Sequence, residues 1–198
     1  MSAFSPKKPD FLTDAIEPLD SSCYVKRIPY ESQCYEEILT PGSLTRIKAP
    51  EQMGKTCMLE RVLSRVRKQG YQTITLSFEL ADSTILRDLS RFSRWFCASI
   101  SQNLGLPNKL DDYWDDIFGC SSNTTAYFQD YLLQKTATPL VLALDKVDRV
   151  FEHPGIADDF CRLLRGWYDT KSGLHRLITY IDQIRLCQRL GQIVILYF

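Results

Sequence analysis

The triplet Gly54-Lys55-Thr56, preceded by Ala49-Pro50-Glu51-Gln52-Met53, has the residue types that hold a polyphosphate. In the general form, Gly, four residues, then Gly-Lys-Ser/Thr, backbone N–H groups wrap the phosphates, the lysine reaches the terminal ones and the hydroxyl ligates magnesium. Ala49 stands where that form has its first glycine. The candidate phosphate cradle is therefore Ala49, Gln52, Met53, Gly54, Lys55, Thr56 and Cys57. Further along, the apolar run Pro139-Leu140-Val141-Leu142-Ala143-Leu144 ends in a carboxylate, Asp145, which with Thr56 makes a candidate magnesium pair.

These residues need elements to position them, and the flanking patterns supply those. Leu44-Thr45-Arg46-Ile47-Lys48 alternates as a strand does, and Met58, Leu59, Val62, Leu63 and Val66 form the stripe of a helix ending at Gly70. A helix opening at Lys55 turns its free N–H groups and positive dipole end toward an anion. Upstream, Glu31 to Leu39 has helical spacing. Tyr71 to Phe78 predicts a second strand, and Asp82 a cap for a long helix from Ser83 to about Leu104. A further helix is predicted over Thr124 to Lys135. The run ending at Asp145 is apolar at every position, as in a parallel strand covered on both faces. Alternating strands and helices predict an open three-layer α/β/α fold with a mainly parallel sheet, whose ligands bind at the carboxyl ends of the strands. Lys55 and Asp145 would then meet at one edge.

Other features narrow the function. With 198 residues, 44% of them hydrophobic, the chain can bury one sizeable core. Residues 1–23, with three prolines and no periodicity, read as an extended arm, and residues 24–198 as the domain. Lys+Arg and Asp+Glu number 24 each, so charge gives no support to a nucleic-acid role. The cluster Arg61, Arg65, Arg67 and Lys68 reads as the solvated face of a helix. The acidic-aromatic segment Asp111 to Asp116 lacks the glycine and spacing of a calcium loop and reads as a surface turn. Seven scattered cysteines, none at a two-residue separation, fit reduced thiols in a cytoplasmic protein. The first ten residues lack a signal-peptide core, and no apolar run is long enough for a membrane span.

Beyond the two motifs, the chain from about Tyr24 to Val194 resembles the AAA-like ATPase domain widespread in cyanobacterial proteins. The likeness is carried by Tyr24-Val25-Lys26-Arg27, Gln33-Cys34-Tyr35, Ile47-Lys48-Ala49-Pro50, Gln52-Met53-Gly54-Lys55-Thr56, Trp95-Phe96-Cys97, Leu110-Asp111-Asp112-Tyr113-Trp114 and Leu144-Asp145 through Phe151. It implies a P-loop fold of the additional-strand type, with ATP and magnesium as ligands and adenine contacts near Tyr24 to Pro29. In these terms the phosphate loop is a Walker A motif and Asp145 closes a Walker B motif.

Three departures qualify the resemblance. Glu51 stands where the family usually has a basic residue, and a carboxylate there would weaken binding if it faced the phosphates. Lys146 replaces the glutamate that activates the attacking water, and a protonated lysine cannot accept that proton. Glu79 and Asp148 are the substitutes within reach. Finally, Gln192 to Phe198 resembles the strand between the loop strand and the Walker B strand, and Lys171 to Arg189 departs from the family as a replaced or frame-altered helix would. On this reading the domain is truncated, and the loop strand becomes a sheet edge open to another protein chain. The function expected is MgATP binding with weak or absent hydrolysis; the alternatives are a nucleotide-gated interaction module and a decayed, non-binding copy.

Overall fold

Five strands, Leu44–Ala49 (β1), Gln72–Ser77 (β2), Leu140–Asp145 (β3), Leu174–Ile181 (β4) and Ile195–Tyr197 (β5), pair in the order β2-β3-β4-β1-β5 in the computed structural model. All four pairings are parallel. The structure describes residues 27–169, 174–181 and 195–197. The helices are Tyr30–Ile38 (α1), Lys55–Arg67 (α2), Leu89–Asn103 (α3), Leu110–Tyr113 (α4), Cys120–Ala126 (α5), Asp148–Phe151 (α6) and Pro154–Asp169 (α7). None of them is long and apolar enough to cross a membrane.

The sheet is covered on both faces, which explains the uninterrupted apolar run of β3. Leu140, Leu142 and Leu144 join a cluster with Phe92, Phe96 and Phe160, while Val141 and Ala143 face the opposite way onto Ile38, Met58, Val62 and Val66. The period-two pleat therefore delivers alternate side chains to two cores, one under α1 and α2 and one under α3 and α7. The expected three-layer α/β/α arrangement is present.

Two expectations are corrected by the topology. The strand between β1 and β3 is β4, drawn from the 171–189 stretch that the sequence suggested was a replaced helix. The terminal stretch supplies β5 instead, on the other side of β1. The loop strand is thus an interior strand, bonded to β4 through Leu44↔Arg176 to Ala49↔Ile181 and to β5 through Arg46↔Ile195 to Lys48↔Tyr197. Among the described residues β1 is therefore not an edge strand: β4 pairs with it along its length and β5 with Arg46 to Lys48. The arm expected over residues 1–23 lies outside the described residues.

The long helix after β2 also differs. Asp82 closes a short turn through its carbonyl, which accepts from Ile85 N (2.9 Å) and Leu86 N (3.2 Å), and the chain then straightens at Asp88. Asp88, with extended φ and ψ, is the true N-cap: its carboxylate accepts from Arg91 N at 2.7 Å. The predicted helix over 124–135 starts earlier, at Cys120, and widens into a π turn over Tyr127–Leu132. That turn aims Tyr127 at Ser101 (Oη to Oγ 2.7 Å) and lets Tyr131 donate to the Pro107 carbonyl (2.7 Å). The acidic-aromatic segment docks there, with Tyr113 against Tyr127 and Tyr131 and Trp114 under the Arg94 guanidinium.

Phe160 of α7 meets Phe78, Phe92 and Phe96 edge-on at centroid distances of 5.6, 5.2 and 5.3 Å. This one ring joins α7, α3 and the end of β2. Phe160→Ala is expected to destabilise the fold by about 3–5 kcal/mol, the cost of a large buried aromatic with its cavity, read from the midpoint of urea unfolding.

Candidate functional site

β1 ends at the buried Ala49, and the chain must turn sharply to enter α2. Gln52 (φ 59°) and Gly54 (φ 71°) take left-handed backbone conformations to do so. A Cβ at position 54 would lie 2.9 Å from Arg27 Nη2, so the guanidinium rests directly on the glycine. Gly54 is the N-cap of α2 and has no side chain to occupy the first N–H groups. The first turn closes through Met58 N donating to Gly54 O at 3.0 Å, leaving the N–H groups before it to face a ligand.

The Lys55 ammonium folds over its own loop, donating to Ala49 O (2.9 Å) and Pro50 O (2.7 Å). Burial pushes its pKa down, opposed by the negative charges of Asp148, Asp145 and Glu51. Thr56 Oγ1 donates to Asp145 Oδ2 at 3.1 Å, linking the start of α2 to the carboxyl end of β3. Asp145, 4% exposed, accepts at its other oxygen from Lys146 N, also at 3.1 Å. Lys146 has φ 57°, and its ammonium forms an ion pair with Glu79 Oε1. The pair holds the Lys146 pKa above its ordinary value, with the hydrogen bond to Glu79 as the largest cause.

The structure thus brings Ala49, Gly54, Lys55, Thr56 and Asp145 together at the carboxyl ends of β1 and β3. Gln52 and Met53 form the exposed crest of the loop, and Cys57 is half-buried in the first turn of α2. Glu51 is exposed, and its charge is felt at Lys55. Of the two candidate bases, Glu79 is held by Lys146, and Asp148 opens α6 within the electrostatic reach of Lys55. Sequence reasoning left Arg27 without a role of its own. Its backbone N–H donates to Glu31 Oε1 (3.1 Å), and Glu31 lies 3.9 Å from Arg61 of α2. The signal was the four-residue spacing of Arg27 and Glu31 at the start of α1.

A hydroxyl and a carboxylate converging from different elements form a hard-oxygen donor set of the kind magnesium takes when phosphates and water complete its shell. Among the described residues, no group of three or more His, Cys, Asp or Glu could hold a metal.

Residues 12–186 match the sequence profile of the AAA-like domain. Among solved structures, the chain is similar to the Walker-type ATPase of Pyrococcus abyssi (16% identity, TM-score 0.55, covering 87% of this chain and 54% of that one). It is also similar to the Aeropyrum pernix ORC1 protein solved with DNA (15%, 0.54, 88% and 46%) and to Cdc6p from Pyrobaculum aerophilum (15%, 0.54, 90% and 48%). These likenesses establish the fold, and the chain spans about half the length of each structure. No curated protein matches it.

Two outcomes follow from this geometry. Gly54→Ala should cost about 1–2 kcal/mol, set by the left-handed backbone rather than by Arg27, whose flexible end can move aside. Removing that end with Arg27→Ala should therefore not restore the melting temperature of Gly54→Ala. In native protein at pH 8, Cys34 and Cys97, whose thiols burial pushes up to about 12, should resist iodoacetamide. The half-buried Cys57 should react, as followed by peptide mass spectrometry.

Proposed function

The chain belongs to the AAA-like domain family, and from that premise we propose that it binds ATP with magnesium at the Lys55, Thr56 and Asp145 site and turns it over slowly or not at all. The observation that carries this reading is the 3.1 Å contact between Thr56 Oγ1 and Asp145 Oδ2, which joins loop and strand end at one point. The uncapped start of α2 and the backbone of Gln52 to Thr56 would wrap the phosphates. Lys55 would leave the Ala49 and Pro50 carbonyls for the phosphate oxygens. Thr56 and Asp145 would hold the magnesium, which when bound neutralises phosphate charge.

The proposed slowness comes from position 146. A lysine paired with Glu79 donates and does not accept, so no side chain there can take a proton from water. Glu79 itself is an ion-paired carboxylate in this structure. Free Cys34, Cys57, Cys97, Cys120 and Cys161 support a reducing, cytoplasmic setting. The DNA of the ORC1 structure belongs to that protein; equal numbers of acidic and basic residues, 24 each, favour nucleotide over nucleic acid here.

Calorimetric titration of MgATP into wild type and Lys55→Ala at matched ionic strength tests binding. Wild type should bind, and the variant should bind at least roughly tenfold more weakly, the loss expected for one charge-assisted phosphate contact. Absence of binding by folded wild type would overturn the reading. Turnover at the rate of an ordinary ATPase, abolished by Asp145→Ala, would overturn the slow-hydrolysis part alone.

A further inference from the structure

The ion pair between Lys146 and Glu79 bridges the carboxyl ends of two neighbouring strands. β2 and β3 run in register to Ser77↔Asp145, Glu79 lies two residues beyond that level, and Lys146 one. Glu79 N is turned back toward Ser77 Oγ (3.4 Å), and Lys146 N is bound to Asp145 Oδ1. A non-glycine residue at φ 57° persists where its surroundings hold it, and these contacts supply the hold. The Lys146 ammonium is thereby held at the carboxyl ends of β2 and β3, where the charge of Asp145 reaches it. It is also close enough to Lys55 for the two positive charges to oppose each other.

The pair is open to exchange. The Lys146 side chain is 41% exposed and that of Glu79 54%, so water screens their attraction and a single carboxylate is a weak competitor. A terminal phosphate offers greater negative charge and several acceptor oxygens in the same place. A diphosphate held by the same loop would end one phosphoryl group short of a triphosphate and so lack the group that Lys146 could meet.

We propose that Lys146 reads the terminal phosphate of a nucleoside triphosphate, exchanging Glu79 for it, and so makes the site discriminate triphosphate from diphosphate. This rests on the reading of Lys55, Thr56 and Asp145 as a nucleotide site. The lysine that replaces a base thus acts as a ligand-recognition residue, and Glu79 is its resting partner.

Titration calorimetry with MgATP and MgADP separately, on wild type, Lys146→Gln, Lys146→Arg and Glu79→Gln, tests the proposal. Circular dichroism and melting temperature check that each variant is folded; all three changes are at solvent-exposed side chains. Lys146→Gln should weaken MgATP roughly tenfold, one charge-assisted contact, while MgADP stays within about twofold. Lys146→Arg should keep most of the preference for triphosphate, and Glu79→Gln, by releasing the lysine, should tighten MgATP a few-fold without affecting MgADP. Equal changes for both nucleotides in Lys146→Gln, or no change in either, would overturn the role of Lys146 and leave the nucleotide site standing. Failure of the wild type to bind either nucleotide would instead overturn the site itself, and this proposal with it.

Discussion

A carboxylate buried at the end of a strand has to be satisfied, and Asp145 sets what can surround it. At 4% exposure its charge has little water, and leaving such a charge unpaired costs several kcal/mol as an order of magnitude. Thr56 Oγ1 and Lys146 N each take one oxygen. The first contact ties α2 to β3 although β4 lies between β3 and the strand that leads into α2. With neighbouring strands about 4.8 Å apart, β1 and β3 are separated by roughly 10 Å, and the loop has to lean across that gap. Pro50 to Gly54, with two left-handed residues, supplies the lean.

Around this anchor the charges are compensated internally. Lys55 is spent on the loop carbonyls and Lys146 on Glu79, while Asp148 and Glu51 add negative potential at Lys55. A polyanion entering the site would have to displace the groups already bound to Lys55 and Lys146. Affinity would therefore be a difference between two sets of contacts, the resting one partly solvated.

The strand, loop and helix around Gly54 were legible because each has a distinct local signature: alternation in Leu44 to Lys48, a Gly-Lys-Thr turn, and a three-and-four-residue stripe from Met58 to Val66. β3 was legible for the same reason, its apolar run having no other use in a small α/β domain. The neighbour of β1 was misassigned because periodicity identifies a strand but not its partner. Leu174 to Ile181 carries His175 and Arg176 among its apolar residues and looked less like an inner strand than the more apolar chain end. The change from Asp82 to Asp88 as helix cap is a local ambiguity, two aspartates six positions apart, decided by which one has an extended backbone. The Lys146 and Glu79 pair was hidden because the two residues meet only through the β2 and β3 register. The sequence considers Glu79 separately, as a substitute base, and the structure places it against Lys146.

The strand order also has a consequence in time. β1 is formed early in the chain, yet its hydrogen-bonding partners are residues 174–181 and 195–197. Before those segments are synthesised, the strand that carries the phosphate loop has no ladder on either side, while β2 and β3 can already pair with each other. Such distant parallel pairings close late and slowly, because the intervening chain must be ordered first. On a nascent chain the helices on either face can begin to gather, but the strand leading into the Ala49–Thr56 loop gains its flanking ladders only after residues 174–197 have emerged.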